Sequence, residues 1–248
     1  MKAKFSVKVA IAGCAILASS YALAAPQVLV GDKIKFADGN GDSPGGAFIL
    51  TNWGPTGAAS QGSFESFCLE KNEYMNYGGL AYNVGPIFKV DSISTEAKRG
   101  GLGGNQGTAP NTFDPLDAKT AFLYTNYIET PSALGAVAGW NAASVIARGT
   151  AMQQAIWTIE QELTSTSNTL ANSLIAFAAV SGWTDTGRVK VLNLSWWDNA
   201  GDTRFPVGTY AQDQLYLAPV PEPETYAMLL AGLGLIGFVA KRRRRQLP

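Results

Sequence analysis

The stretch of sequence that decides the fold is residues 142–163, AASVIARGTAMQQAIWTIEQEL. Its large apolar side chains recur every three or four residues, at Met152, Ile156, Ile159 and Leu163. This spacing places them on one face of an α-helix. The stretch therefore predicts a helix over residues 142–163 that packs one face against a core.

Two further helices are predicted around this one. Asp114-Pro115 is a helix-start signal with proline at the first helical position, and it leads into residues 116–128. The third predicted helix covers residues 170–180, where apolar residues again recur at helical spacing.

Short runs rich in β-branched and aromatic residues surround the helices and predict strands. They are residues 28–30, 33–36, 47–51, 64–69 and 87–93 before the helices, and residues 188–196 and 214–217 after them. The glycine-rich residues 100–107 predict a flexible loop. This order predicts an α+β domain that combines β-rich sheet layers with a grouped helical middle segment.

The N-terminal residues 1–24, MKAKFSVKVAIAGCAILASSYALA, predict a signal peptide. A positive start, an apolar stretch and small residues at Ala22 and Ala24 predict export by the Sec translocon and cleavage by signal peptidase after Ala24. One alternative is an uncleaved membrane helix, for which the apolar run is short. Another is a lipoprotein cleavage box that ends at Cys14.

The C-terminal residues 218–248 predict a membrane tail in three parts. A proline-rich spacer precedes an apolar run over residues 226–240, and a basic cluster follows at Lys241, Arg242, Arg243, Arg244 and Arg245. The apolar run suits a short transmembrane helix, and the basic cluster stays on the cytoplasmic side. Residues 25–217 are thus predicted to form an exported domain, which the tail holds at the inner membrane.

This tail resembles the PEP-CTERM sorting signal of Gram-negative bacteria. The resemblance rests on Pro221, Glu222 and Pro223, which precede a glycine-containing apolar run and an arginine cluster. It implies recognition by exosortase, a membrane cysteine protease or transpeptidase, with cleavage near the motif. It also implies transfer of the domain to the cell surface or the extracellular matrix. An ordinary C-terminal anchor is the alternative.

The charge and composition of the exported domain exclude several functions. Without the leader, the basic tail cluster, Glu222 and Glu224, the chain keeps 11 basic and 17 acidic residues, a net charge of −6. Such a domain has no electrostatic footprint for nucleic acid. The chain contains no histidine, which removes imidazole-based triads and histidine-ligated zinc. We therefore expect a protein that is not an enzyme and that needs no metal or cofactor.

Cys68 is the one cysteine of the predicted exported domain. Within the strand that contains it, alternation places Cys68 on the same face as Ser66 and Glu70. The predicted central helix carries the carboxamide of Gln153. A thiolate that attacks a glutamine carboxamide and expels ammonia forms an internal thioester, which can acylate amines or hydroxyls.

The domain resembles the thioester domains of bacterial surface adhesins. Those domains pair an aromatic-Cys motif on an early strand with a Gln-x-x-Ile-Trp motif; Phe67-Cys68 and the run from Gln153 to Trp157 match both in order. The resemblance implies that Cys68 and Gln153 are the bonded pair, and that the target is an amine or hydroxyl on another surface. Gln154 is a second carboxamide beside the first. The alternative is a buried, purely structural Cys68 and an exposed Gln153.

Two further kinds of site are weaker candidates. Residues 38–42, DGNGD, mimic the start of a calcium loop but lack its turn glycine and its glutamate, so a hairpin turn is the favoured interpretation. A glycosidase carboxylate pair drawn from Glu65, Glu70 and Glu73 is the second. Solvent-exposed strand charges are the alternative for these three side chains.

Four aromatic residues are candidates for stacking on sugars, namely Trp183, Trp196, Trp197 and Tyr210. The alternation of Leu192, Leu194 and Trp196 predicts instead one buried strand face. The sequence as a whole predicts an exported cell-surface or extracellular-matrix protein. One hypothesis for its activity is covalent adhesion through a thioester between Cys68 and Gln153. The alternatives are a non-covalent structural or polysaccharide-binding module and a hydrolase of matrix polysaccharides.

Overall fold

A computed structural model describes residues 26–42, 45–71, 86–98, 113–198, 204, 206–220, 232–234 and 236. The predicted signal peptide, the predicted loop of residues 100–107 and nearly all of the tail lie outside these residues. Of the apolar run predicted to form the transmembrane helix, residues 232–234 and 236 are described, and they are helical and exposed. Among the described residues, no helix has the length and apolar character that crossing a membrane requires.

The domain is built on a six-stranded antiparallel sheet with the order β3-β2-β1-β4-β7-β8. Its strands are β1 (Lys33–Asp42), β2 (Gly45–Asn52), β3 (Gly62–Ser66), β4 (Ile87–Ser94), β7 (Val189–Asp198) and β8 (Tyr210–Leu217). Two short strands, β5 (Glu96–Ala97) and β6 (Asp114–Pro115), pair separately.

The two edges of the large sheet meet just after β3. The Leu69 N–H donates to the Asp213 carbonyl at 3.1 Å, and the Leu215 N–H donates to the Phe67 carbonyl at 3.0 Å. The sheet therefore closes on itself. One apolar cluster takes buried side chains from all six strands and fills the inside; Phe88 lies at its centre, with ring centroids 4.9 Å from Phe36 and 4.6 Å from Trp196.

The helices pack on the outside of the closed sheet and bury a second apolar cluster there. They are α1 (Ala118–Glu129), a 3-10 turn (Ala133–Ala136), α2 (Val145–Ile159) and α3 (Thr169–Ala179). Helix α2 lies against β1, β2 and α3. The approach is closest at Gly149, because a Cβ there would lie 1.8 Å from the Asn40 carbonyl oxygen.

The central helix is shorter than the predicted residues 142–163. It begins at Val145 because the Ser144 hydroxyl accepts a hydrogen bond from the Ala147 N–H at 3.1 Å. It ends at Ile159 because Gln161 adopts a left-handed φ of 66°, which a continuing helix does not allow. Leu163 therefore lies beyond the helix.

The predicted start of the first helix at Asp114-Pro115 is also wrong. These two residues form β6 and pair with Glu96–Ala97. The helix begins after Asp117, whose carboxylate accepts from the Lys119 N–H at 2.7 Å. The third helix is confirmed to within one residue at each end.

The mixed helix-and-sheet fold with its helices grouped in the middle of the chain is confirmed. The predicted strand at residues 28–30 is wrong, because a turn forms where the Asp32 N–H donates to the Leu29 carbonyl at 3.1 Å. The Asp32 carboxylate accepts the Leu29 N–H in return at 2.9 Å. The other six predicted strands each overlap an observed strand.

Candidate functional site

Cys68 lies where the sheet closes, directly opposite Gln214 of β8. The two backbone hydrogen bonds that join the edges flank this pair and do not use its own N–H and C=O groups. In antiparallel sheets such a non-hydrogen-bonded pair has the closer side chains, and both side chains point to the same face. The closure therefore brings together a thiol and a carboxamide that are 146 residues apart.

The Gln214 carboxamide contacts the thiol itself. Its Nε2 donates to Cys68 Sγ at 3.2 Å, and its Oε1 lies 3.2 Å from the Ser66 hydroxyl, which also donates to the Leu215 carbonyl at 2.6 Å. Cys68 is 2% exposed, and Gln214 and Ser66 are fully buried. Sulfur, carboxamide and hydroxyl thus form one water-excluded group.

Gln153 contacts the backbone of Cys68 rather than its sulfur. Its Oε1 accepts from the Cys68 N–H at 2.9 Å, and its Nε2 donates to the Cys68 carbonyl at 2.7 Å. These are the two backbone groups that the pairing with β8 leaves unused. A side-chain amide from α2 therefore satisfies both of them, as a neighbouring strand would.

Burial raises the pKa of the Cys68 thiol far above its ordinary value, because the thiolate would lose its hydration. The hydrogen bond from Gln214 opposes this effect, and the negative charge of Glu70 adds to it. The sulfur thus keeps its proton and does not react as a free thiolate.

The structure brings both members of the predicted pair together, and Gln153 is fully buried rather than exposed. The carboxamide that faces the sulfur, however, belongs to Gln214, which the sequence analysis missed. One signal was available, because Gln214 is the first residue of the predicted strand over residues 214–217 and a second glutamine, Gln212, precedes it by two residues on the same strand face. Gln154 is turned to another partner, and its Oε1 accepts from the Thr166 hydroxyl at 2.9 Å.

The calcium-loop mimic, residues 38–42, lies in the bulged end of β1 next to the hairpin turn. Within the described ranges, no cluster of three or more acidic or cysteine side chains could hold a metal ion. Of the predicted glycosidase carboxylates, Glu65 accepts from the Tyr127 hydroxyl at 2.8 Å and Glu70 is buried. Glu73 lies outside the described residues.

The predicted aromatic platform does not form from the four candidates. Trp196 is 1% exposed and belongs to the interior cluster with Leu192 and Leu194, so the predicted buried face is confirmed. Trp183 packs on Phe122, with ring centroids 5.2 Å apart. Trp197 and Tyr210 are about half exposed, at 51% and 44%, but lysine ammonium groups lie over both rings.

Comparison with known proteins identifies the tail and leaves the domain unmatched. Residues 219–245 match the family model described as the PEP-CTERM protein-sorting motif. No curated protein and no solved structure matches the chain. The tail thus carries the sorting motif predicted from Pro221, Glu222 and Pro223, which indicates an exported surface protein that exosortase sorts.

Proposed function

We propose that this protein is a covalent surface adhesin in which an internal thioester joins Cys68 to Gln214. The observation that carries the proposal is the 3.2 Å contact between Gln214 Nε2 and Cys68 Sγ. The pairing of the two residues across the closure of the sheet supports it, since this places the carboxamide beside the sulfur without any rearrangement of the backbone.

Formation of the bond balances without an oxidant or reductant. Cys68 Sγ attacks the carboxamide carbon of Gln214, a C–S bond forms, and the C–N bond breaks. The departing nitrogen takes the thiol proton and leaves as ammonia. The Ser66 hydroxyl can turn its one proton from the Leu215 carbonyl to the carboxamide oxygen 3.2 Å away, where negative charge develops during the attack.

Gln153 holds the nucleophile in place in this proposal. Its two hydrogen bonds fix the backbone of Cys68 on the helix side, and the sulfur then faces Gln214 on the other side. Burial protects the thioester from water. Because Cys68 is 2% exposed and Gln214 is fully buried, the closure between the two sheet edges must open before an amine or hydroxyl of the target can attack. The Gln214 carbonyl is then transferred to that group, and the Cys68 thiol is restored.

Mass spectrometry of peptides from the purified full-length protein tests the proposal. We expect a Cys68 peptide linked to a Gln214 peptide, lighter than the unlinked pair by the mass of one ammonia molecule. Methylamine should add to Gln214 and release one titratable thiol. Cys68→Ala should abolish both signals.

Gln153→Ala and Gln214→Ala form a matched pair for the assignment. The bond to Gln214 is supported if Gln214→Ala loses methylamine incorporation completely and Gln153→Ala only lowers it, because Gln153 positions Cys68 and does not supply the acyl carbon. Methylamine attached to Gln153 would instead support the pair implied by the sequence resemblance. An unmodified thiol with both carboxamides intact in the purified protein would contradict the thioester and favour a non-covalent structural or polysaccharide-binding protein.

The sorting motif supports the cellular part of the proposal. The Sec translocon and signal peptidase handle the leader, the apolar run holds the tail in the inner membrane, and exosortase then cuts near Pro221. The domain reaches the cell surface or the extracellular matrix, where its target carries the acylated amine or hydroxyl. In cells that lack exosortase, we expect the full-length tail to stay in the membrane fraction.

A further inference from the structure

A polar cavity of about 300 Å³ lies between the β1–β2 hairpin and the helices, away from the sulfur of Cys68. Its polar lining comes from β1, β3, α1, α2 and the loop before α2. Polar and aromatic side chains line the cavity, namely Asn40, Glu65, Tyr127, Trp140, Asn141 and Arg148. None of them takes part in the proposed thioester chemistry.

One side of the cavity presents hydrogen-bond acceptors. The Glu65 carboxylate accepts from the Tyr127 hydroxyl at 2.8 Å and from Asn40 Nδ2 at 3.4 Å. Both bonds end on Oε1, so among the described residues Oε2 keeps its lone pairs for a ligand. Burial and the charge of Glu65 raise the pKa of Tyr127, so its hydroxyl stays protonated and remains a donor.

The other side presents donors on a fixed group. The Arg148 guanidinium lies 5.2 Å from the centre of the Trp140 ring. Its Nε donates to the Trp140 carbonyl at 2.9 Å and its Nη2 to the Asn141 carbonyl at 3.3 Å. A guanidinium has five N–H donors, so these bonds hold it in position and leave donors for a ligand.

We propose that this cavity binds one pyranose unit of a neutral saccharide. The volume is at the small end of ligand pockets, which suits a single sugar ring. A ring rich in hydroxyls can donate to the Glu65 carboxylate and accept from the Arg148 guanidinium and the Asn141 carboxamide. Pro131 and Val145 supply the apolar wall that sugar C–H groups contact, whereas Trp140 is 4% exposed and lies under the Arg148 guanidinium.

The charges of the cavity favour a neutral ligand over an ion. Glu65 and Arg148 contribute one negative and one positive charge, so an anion or a cation would be attracted by one group and repelled by the other. An amino acid zwitterion has both charges, but it offers fewer hydroxyl contacts to the two carboxamides. Free amino acids therefore serve as the competing ligands in the test.

Saturation-transfer NMR on the purified full-length protein tests the proposal with glucose, galactose, mannose, N-acetylglucosamine, glycine and lysine. We expect transfer to at least one sugar, and about tenfold weaker binding by Glu65→Gln, which loses a charge-assisted hydrogen bond. Glu129→Gln is the matched control, because this carboxylate lies outside the cavity and pairs with Arg188. Asn141→Ala, an exposed loop change, is the second variant should Glu65→Gln fail to fold.

Three results would overturn the proposal: no transfer to any of the four sugars, transfer to glycine or lysine alone, or equal sugar affinity in the cavity variants and Glu129→Gln. The Cys68→Ala variant separates this site from the thioester. We expect it to bind sugar like the unchanged protein, because Cys68 is not one of the residues that line the cavity.

Discussion

At the scale of single residues, the site depends on the difference between an amide and a carboxylate. The Gln153 side chain offers one acceptor and two donors, and it meets one N–H and one C=O of Cys68. An ionised carboxylate at this position has only acceptors. The Cys68 backbone therefore needs an amide side chain at position 153, and this need is independent of the thioester.

Gln153→Glu should lower the free energy of unfolding by about 3 kcal/mol, because the Cys68 carbonyl loses its donor and faces a buried carboxylate. Urea unfolding followed by circular dichroism measures the change. Gln154→Glu is the matched control, since its oxygen only accepts from Thr166 and a carboxylate does the same. Equal unfolding midpoints for the two variants would contradict this account of Gln153.

At the scale of elements, the packing of α2 on the β1–β2 hairpin depends on Gly149. The helix lies so close to β1 that a Cβ at this position would meet the Asn40 carbonyl oxygen at 1.8 Å and its carbon at 2.6 Å. Both are backbone atoms, which cannot move aside as a flexible side chain can. Asn40 also lines the polar cavity, so the same contact sets the shape of that cavity.

Gly149→Ala should destabilise the protein by about 3 kcal/mol or more, because α2 must move away from β1 and the core beneath it opens. Thermal unfolding measures the effect. Gly135→Ala is the matched control, since a Cβ there meets only the Asn141 side chain, at 3.5 Å. An unchanged melting temperature in Gly149→Ala would show that the packing of α2 does not depend on its close contact with β1 at Gly149.

The elements also show what the sequence could predict. Apolar periodicity identified the second and third helices, because the apolar stripe of each contacts the core, and a helix-start signal identified the first. The helix ends were harder, because Asp114 and Pro115 carry a helix-start signal that pairing with Glu96–Ala97 overrides. The sequence could not predict that Gln214 lies beside Cys68. Their contact depends on the closure of the sheet between its two edge strands, β3 and β8, which are far apart in the chain.

At the scale of the whole molecule, stability should depend on pH through Glu160, which joins α2 to α1. Its carboxylate accepts from the Asp117 N–H at 3.2 Å at the start of α1. Burial raises the pKa of Glu160 from 4.5 to about 8, and the hydrogen bond from the Asp117 N–H opposes this rise. The folded protein therefore holds a proton that the unfolded chain has lost between these two pH values.

Unfolding free energy should fall as pH rises from about 4.5 to 8, because the unfolded chain binds fewer protons than the folded one in this range. The total loss should be on the order of 5 kcal/mol, from about 1.4 kcal/mol for each unit of pKa. Urea unfolding at a series of pH values measures it. Glu160→Gln should flatten this dependence, whereas Glu129→Gln should keep it; parallel curves for Glu160→Gln and the unchanged protein would contradict the assignment.

The position of β8 has a mechanical consequence. The strand ends at Leu217 and the sorting motif begins at residue 219, so there is almost no linker between them. Any tension from an anchored tail enters the fold along β8 and shears it against β7 on one side and against Phe67, Cys68 and Leu69 on the other. Gln214 belongs to β8, so tension on the tail acts directly on the contact between its carboxamide and the Cys68 sulfur.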